Sequence, residues 1–207
     1  MITAAMRSAA RPSHSSGILP SPVERSACSN PLTMSAVLVP TTRLVPCVTL
    51  HRPSNVDRRD TFRDIIEAVR VVASRIPVVF PVHPRTRSRL QEFGLGSDLN
   101  GLILTEPLGY IDFLSLTSHA RLILTDSGGL QEESTVLGIP CLTLREHTER
   151  PVTVTHGTNR VVGTRTADIV SGFEQAIVST AEGKVPELWD GHAAERIARV
   201  ITRFLSA

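Results

Sequence analysis

Short apolar segments alternate with helical segments along most of this chain, and this alternation constrains the fold more than any other feature. The apolar segments recur about every 20 to 30 residues, a spacing typical of repeated βα units. We interpret them as strands at 47–50, 78–82, 102–105, 122–125, 141–144 and 160–163. Strands joined through helices run parallel, because each crossover returns the chain to the same end of the sheet. The sequence therefore predicts an α/β fold with a Rossmann-like parallel sheet and flanking helices.

Helices are predicted where apolar residues recur three and four positions apart. The clearest begins near 57–60 and ends before Pro77. Its predicted apolar face consists of Phe62, Ile65, Ile66, Val69, Val72 and Ala73. Further helices are predicted at 86–93, from 108 toward 122, at 130–137 and at 166–180, with a closing helix from about 190.

The first 46 residues differ in kind from the rest of the chain. They are rich in Ser and Pro, and Glu24 is their only acidic residue. Frequent prolines break helical and strand periodicity, so we predict a disordered or non-homologous extension at 1–46. The remaining residues, 47–207, are predicted to form one α/β domain.

Composition excludes several classes of protein. A net charge of +2 over 207 residues leaves no strong electrostatic footprint for nucleic acid. No stretch approaches the roughly 18 continuous apolar residues that a membrane span needs. The three cysteines have no paired or metal-type spacing, which is typical of a reducing compartment, so we expect a cytoplasmic protein.

A glycine-containing turn joins the strand at 122–125 to the helix at 130–137. Ser127, Gly128 and Gly129 form this turn, and glycine lets a ligand approach the main chain closely. The unpaired amides and positive dipole end of the helix point into the turn, an arrangement that binds anions, most often phosphate. An ordinary loop with a serine N-cap has the same three residues, so the turn alone leaves both interpretations open.

Polar residues also follow other predicted strands, at the edge where open α/β sheets bind ligands. They are the pair His51 and Arg52, the pair His83 and Arg85, and a cluster at 145–150 that contains Glu149 and Arg150. Histidine can exchange a proton near neutral pH, and arginine suits bidentate phosphate contacts. Capping, solvent-facing or ion-paired surface side chains are the alternative interpretation of each group.

The order and spacing of five motifs resemble the second half of the non-hydrolysing UDP-N-acetylglucosamine 2-epimerases. The motifs are TDSGGLQEE at 125–133, GIP at 138–140, LR at 144–145, TERP at 148–151, and GTNR with VG at 157–163. The resemblance runs from about residue 48 to the end of the chain. It implies one half of a GT-B-type two-domain architecture, with 47–207 as the UDP-binding α/β domain.

The resemblance also implies roles for individual residues. His51 is implied to be catalytic and to lie beside the diphosphate. The residues implied to bind UDP are Arg52, His83, Arg85, Phe113, Ser127, Gly128, Gly129, Gln131, Glu133, Glu149 and Arg150. Phe113 would stack on the uracil, and Glu133 would accept hydrogen bonds from the ribose hydroxyls. We expect no cofactor and no metal, because the remaining histidines have no second ligand at metal-like spacing.

The implied reaction interconverts UDP-N-acetylglucosamine and UDP-N-acetylmannosamine. In the family, the carboxylates that move the C2 proton come from a preceding domain that residues 1–46 do not resemble. We therefore expect a nucleotide-binding half with a UDP-sugar as ligand. Its protein partners would be a second copy, as in a full-length homodimer, or a separate chain that supplies the missing domain. Two alternatives stay open: a non-catalytic UDP-sugar binding module, and a fragment of a GT-B-type glycosyltransferase.

Overall fold

The computed structural model describes residues 45–97, 99–179 and 184–206. The predicted extension at 1–46 lies almost wholly outside these ranges and stays a prediction. The strands are β1 Cys47–Thr49, β2 Val78–Pro81, β3 Leu102–Thr105, β4 Ile123–Thr125, β5 Cys141–Thr143 and β6 Asn159–Val161. The helices within the described ranges are α1 Pro53–Val56, α2 Arg59–Ala73, α3 Pro84–Glu92, α4 Tyr110–Ser118, α5 Gly128–Leu137, α6 Pro151–Thr155, α7 Thr166–Val178 and α8 Ala193–Leu205.

The six strands form one sheet in the order β3-β2-β1-β4-β5-β6, and every pairing is parallel. This confirms the predicted Rossmann-like parallel sheet. The strand order reverses between β1 and β4, the topological switch point at which doubly wound folds bind ligands. Cys47 pairs with Ile123 and Thr49 with Thr125, so both strands end at the same level. The chain segments that follow β1 and β4 therefore leave the sheet side by side.

Successive strand residues point to opposite faces of the sheet, and each face packs against an apolar core. Val48, Leu124 and Leu142 belong to the larger apolar core, which α2 and α7 cover. Their neighbours Cys47, Ile123 and Cys141 belong to a second core that includes residues of α4 and α5. The predicted apolar face of α2 is confirmed, since all six of its residues are buried.

Several element boundaries differ from the sequence predictions, and two short helices were not predicted. Helix α5 begins at Gly128, two residues before its predicted start. The short helices α1 and α6 were not predicted, because four or five residues are too few to show apolar periodicity. Each begins with a proline, Pro53 or Pro151, whose fixed φ suits the first helical position and whose missing N–H is not needed there.

Helix α8 lies in a separate compact unit, of which residues 187–206 are described. Its apolar positions are exposed, with Phe204 81% and Leu205 78% accessible. An ion pair and hydrogen bonds join Asp190 to Arg196 at its start. Within the described ranges, none of the helices combines the length and apolar character that a membrane span requires.

We expect Gly101→Ala to destabilise the fold strongly. Gly101 has φ +82, and an added Cβ would lie 2.3 Å from the carbonyl oxygen of Ala73 at the end of α2. The free energy of unfolding in urea should fall by roughly 2–5 kcal/mol, because left-handed alanine costs about 1–2 kcal/mol and overpacking adds about 1–3 kcal/mol.

Gly94→Ala is the matched control for this substitution. Gly94 has φ +67, but no atom lies within 4 Å of an added Cβ. The free energy of unfolding of this variant should fall by only about 1–2 kcal/mol, the cost of the left-handed backbone conformation for alanine. Equal losses in the two variants would contradict the close approach at Gly101.

The two buried cysteines should make the fold sensitive to alkaline pH. Burial raises the pKa of Cys47 and of Cys141 from 9.0 to about 12. Above pH 9 the unfolded chain loses these protons while the folded chain keeps them, so stability is complete below pH 9 and declines toward pH 12. The decline is up to about 1.4 kcal/mol per pH unit for each thiol.

Urea denaturation at several pH values measures this effect against the variant Cys47→Ala/Cys141→Ala. The variant should be less stable at pH 8, because it loses buried packing. The difference in unfolding free energy should narrow as pH rises above 9. A difference that stays constant to pH 11 would contradict the pKa shifts.

Candidate functional site

A buried carboxylate joins the two chain segments that meet at the switch point. Asp126, directly after β4, is fully buried. Its oxygens accept the backbone N–H of His51 at 3.1 and 3.2 Å and that of Arg52 at 2.9 Å. Nδ1 of the His51 ring lies 3.0 Å from Oδ1 of Asp126. The segment after β1 is therefore fixed to the segment after β4.

Asn55 extends this connection to β5. Its side chain is buried, and Nδ2 donates to the carbonyl of Leu144 at 2.7 Å and approaches Oδ2 of Asp126 at 3.4 Å. The ends of β1, β4 and β5 are thus held together by two polar side chains. Neither residue was predicted to have a role. The available signal was an acidic residue directly after a strand at the switch point.

The turn between β4 and α5 is open on its ligand side. Ser127 occupies the N-cap position, but its side chain makes no capping hydrogen bond. Its backbone N–H donates to Oγ1 of Thr125 at 2.9 Å. Gly128 is buried, whereas no atom lies within 4 Å of a Cβ built on Gly129. The Ser127 hydroxyl and the space above Gly129 are therefore open to a ligand. The alternative interpretation, in which the Ser127 side chain caps the helix, is not what the structure shows.

Arg52 and Glu149 lie over this turn, and Arg145 contacts Glu149. An added Cβ on Gly128 would be 3.7 Å from Nη2 of Arg52 and 3.8 Å from Oε2 of Glu149. Glu149 accepts a hydrogen bond from Nη2 of Arg145 at 2.9 Å, and Arg52 Nη2 lies 3.7 Å away. The hydrogen bond from Arg145, with the charges of Arg145, Arg52 and Arg150, lowers the pKa of the Glu149 carboxyl.

The arginines retain unused donors. Nε of Arg52 and Nη1 of Arg145 are buried and have no hydrogen-bond partner among the described residues. A buried donor without a partner costs free energy, so these nitrogens suit an anion that binds over the turn. Arg145 was not among the predicted site residues, although it directly precedes the motif that contains Glu149 and Arg150.

Glu133 and Arg150 differ in their partners. Arg150 Nε lies 2.8 Å from Oε1 of Glu132, so its charge is already paired. The Glu133 side chain is partly buried and makes no hydrogen bond or ion pair with another described residue. Partial burial, and secondarily the charge of Glu132, raises the pKa of the Glu133 carboxyl. Glu133 is therefore the carboxylate on this helix that is available to hydroxyl groups of a ligand.

Gln131 lies beneath the site rather than in it. Its side chain is fully buried, and Nε2 donates to the carbonyl of Ser127 at 3.1 Å. Its Oε1 accepts from Thr148 Oγ1 at 2.5 Å and from Asn159 Nδ2 at 3.1 Å. Within the described chain this amide bonds to three protein groups, so Gln131 supports the turn from below, and its predicted contact with UDP stays a prediction. Thr148 also accepts the backbone N–H of Arg150 at 2.9 Å, so Gln131 ties the turn to the loop at 148–150.

The remaining predicted residues lie in different surroundings. The His83 ring is 6.0 Å from the His51 ring, centre to centre, which places it at the same edge. Arg85 forms an ion pair and hydrogen bonds with Asp57, so its charge is not free. Phe113 is partly buried and packs against the core beneath α5.

These contacts bring His51, Arg52, His83, Ser127, Gly128 and Glu149 into one group. The backbone N–H of Arg85 donates to Nδ1 of His83 at 3.2 Å, but the Arg85 guanidinium is bonded to Asp57. Within the described ranges, no hydrogen bond or ion pair joins the Phe113 side chain to that group. Phe113 and Glu133 nevertheless lie on the two helices α4 and α5, which pack against each other.

Residues 24–202 match the family model described as UDP-N-acetylglucosamine 2-epimerase. The chain is 40% identical over 160 residues to the UDP-N-acetylglucosamine 2-epimerase of Methanocaldococcus jannaschii, a match that covers 75% of this chain and 43% of the relative. It is 35% identical over 156 residues to the UDP-2,3-diacetamido-2,3-dideoxy-D-glucuronate 2-epimerase of Pseudomonas aeruginosa, covering 75% and 43%.

Solved structures are similar over the same region. The M. jannaschii UDP-GlcNAc 2-epimerase in complex with UDP-GlcNAc and UDP has a TM-score of 0.71 and 38% identity. The match covers 78% of this chain and 46% of that chain. This chain thus spans less than half the length of the relatives it matches.

We expect Gln131→Leu to destabilise the fold and loosen the turn. The substitution keeps the size of the side chain but leaves Ser127 O, Thr148 Oγ1 and Asn159 Nδ2 without their partner. Each such group costs roughly 1–3 kcal/mol, with partial relief by relaxation, so the unfolding free energy should fall by about 2–4 kcal/mol. Gln175→Leu on the exposed side of α7 is the control and should cost less than about 1 kcal/mol. Similar losses of unfolding free energy in the two variants, measured by urea denaturation, would contradict the hydrogen-bond network of Gln131.

Proposed function

Because the chain belongs to the UDP-N-acetylglucosamine 2-epimerase family, we propose that its α/β domain binds the UDP part of a UDP-sugar. We propose also that the protein interconverts UDP-N-acetylglucosamine and UDP-N-acetylmannosamine. One observation carries the proposal: at the carboxyl edge of the sheet, Arg52 and Arg145 both lie beside Glu149, which lies over the turn at 127–129. The named complex of the M. jannaschii relative with UDP-GlcNAc and UDP supports the same ligand class.

The diphosphate is the part of the ligand that the site matches best. The amides at the start of α5 and the helix dipole favour negative charge, and the open space above Gly129 admits it. Arg52 and Arg145 each have a buried nitrogen with an unused hydrogen. Glu149 is the counter-ion of both arginines, so a bound diphosphate would replace it as their partner and release its carboxylate.

The nucleoside would lie along α4 and α5. Glu133 has an unpaired carboxylate that can accept hydrogen bonds from both ribose hydroxyls. Phe113 offers a partly exposed ring on the neighbouring helix, and stacking of a base on an aromatic ring contributes about 1–3 kcal/mol. Together the two residues would select a nucleoside diphosphate over inorganic pyrophosphate.

The proposed reaction is elimination followed by addition. A base removes the C2 proton, the C1–O bond breaks with its electron pair going to the UDP oxygen, and a double bond forms between C1 and C2. UDP then adds back to C1 while an acid returns a proton to the other face of C2. Negative charge develops on the departing diphosphate, so the fixed donors and His51 beside it would stabilise the transition state.

The groups that move the C2 proton are not evident at this edge of the described chain. Asp126 is buried among donors, Glu132 and Glu149 are paired with arginines, and Glu133 suits the ribose. We therefore propose that a separate domain supplies them, on the same protein, on the second subunit of a homodimer or on a separate chain. A UDP-sugar binding module that acts with such a chain is the second candidate, favoured by the pairing of Glu132 and Glu149 with arginines at this edge.

The sugar itself is less constrained than the nucleotide. A relative that is 35% identical acts, by its name, on a diacetamido glucuronate rather than on N-acetylglucosamine. Both substrates share UDP and an acetamido group at C2. We assign the residues at this edge of the sheet to the UDP part, so the choice of sugar would belong to the proposed second domain.

Calorimetric titration of the chain with UDP tests the binding proposal. Glu133→Gln should weaken UDP binding by about 10- to 100-fold, because a hydrogen bond to a charged group contributes roughly 1.5–3 kcal/mol. Pyrophosphate binding should change little, since Glu133 is assigned to the ribose. Glu187→Gln, at an exposed glutamate, is the control. Unaltered UDP affinity in Glu133→Gln would refute the ribose assignment, and failure of the unaltered chain to bind UDP would refute the proposed function.

Incubation with UDP-N-acetylglucosamine in D2O separates enzyme from binding module. An epimerase forms UDP-N-acetylmannosamine with deuterium at C2, visible by proton NMR. If the chain binds UDP but forms no product, the reaction should appear once the separate domain is added. Binding without turnover in both mixtures would favour the binding module.

A further inference from the structure

The geometry points to Asp126 as the positioning residue that determines which nitrogen of His51 carries the proton. The inference rests on the proposed function, in which His51 lies beside the departing diphosphate. Asp126 is fully buried, whereas the His51 side chain is 39% exposed, so one end of the ring meets protein and the other faces solvent. Nδ1 lies 3.0 Å from Asp126 Oδ1.

The other neighbours of the Asp126 carboxylate are all hydrogen-bond donors. Oδ2 accepts from the amide of Arg52 at 2.9 Å and from that of His51 at 3.1 Å, and Asn55 Nδ2 lies 3.4 Å away. Oδ1 is 3.2 Å from the His51 amide. Backbone amides can only donate, so the carboxylate acts as an acceptor toward each of them. The same oxygens therefore favour a proton on Nδ1 of His51.

A proton held at Nδ1 determines whether Nε2 accepts or donates a hydrogen bond. In the neutral ring Nε2 is then an acceptor, and in the imidazolium it is a donor. It can take up a proton and later give it to an oxygen of the departing diphosphate without any movement of the ring. The neighbouring His83 ring lies 6.0 Å away, centre to centre, and its own Nδ1 accepts the backbone N–H of Arg85, whereas Nδ1 of His51 lies 3.0 Å from Asp126.

The substitution Asp126→Asn tests the effect of Asp126 on the His51 tautomer separately from its attachment of the segment after β1. The asparagine side chain has the shape of aspartate and keeps one of its two oxygens. That oxygen should face the Arg52 and His51 amides and Asn55, because an amide group placed there would oppose three donors. The new NH2 then faces His51 Nδ1 and can only donate. The ring must accept at Nδ1 and carry its proton at Nε2, while the segment after β1 stays attached.

Long-range proton–nitrogen NMR of the full chain labelled with 15N-histidine reads the tautomer directly. The spectra are recorded at about pH 8.5, where an ordinary histidine is neutral. His51 is identified among the seven histidines by loss of its signals in His51→Gln. We expect Nδ1–H in the unaltered chain and Nε2–H in Asp126→Asn. Nε2–H in the unaltered chain would overturn the inference, as would the same tautomer in both.

UDP titration of the same samples keeps this outcome separate from that of the proposed function. The unaltered chain should bind UDP whichever nitrogen of His51 carries the proton, because the turn and its arginines are present in either case. Asp112→Asn, at an exposed aspartate on α4, controls for loss of charge and should leave the His51 tautomer unchanged. A chain that shows the expected tautomers but binds no UDP would refute the proposed function and leave the role of Asp126 intact.

Discussion

The hydrogen bonds from the His51 and Arg52 amides to Asp126 connect the two halves of the sheet at its switch point. Parallel strands bring chain segments to the same edge, but they do not fix the loops that follow. Here one buried acceptor orders the segment after β1 against the segment after β4. The positions of Arg52 over the turn and of His51 at the edge both depend on it. A buried carboxylate is costly unless donors surround it, and this one is surrounded.

A second buried group supports the site from below. Gln131 uses its whole amide to join the Ser127 turn to the loop at 148–150 and to β6. The arginines and Glu149 above the turn are more exposed and meet the ligand side. The site is thus an accessible layer of charged side chains on a layer of buried polar side chains. Fixed buried groups beneath exposed charged side chains hold the binding geometry in place.

Much of the fold could be predicted from the sequence, because buried parallel strands are short apolar runs and α2 has an unambiguous apolar face. The turn at 127–129 and the residues at strand ends were predictable from the same rule on sheet edges. Asp126 and Arg145 were missed because their partners lie in segments far apart in the chain, and a local pattern does not name those partners. The supporting contacts of Gln131 were missed for a related reason: position in the first turn of a helix does not tell which way a side chain points. Helices α1 and α6 were too short for periodicity to reveal.

The positive groups over the turn are arginines, and Lys184, the sole lysine of the chain, is remote from them in sequence. A guanidinium remains protonated throughout the pH range in which proteins are folded, whereas an ammonium group can be titrated or acylated. The contribution of the arginines to the attraction of this edge for an anion is therefore constant with pH. Imidazole rings, carboxylates and the phosphate itself are the groups that can make ligand binding depend on pH, and acetylation of lysine does not change the arginine contribution.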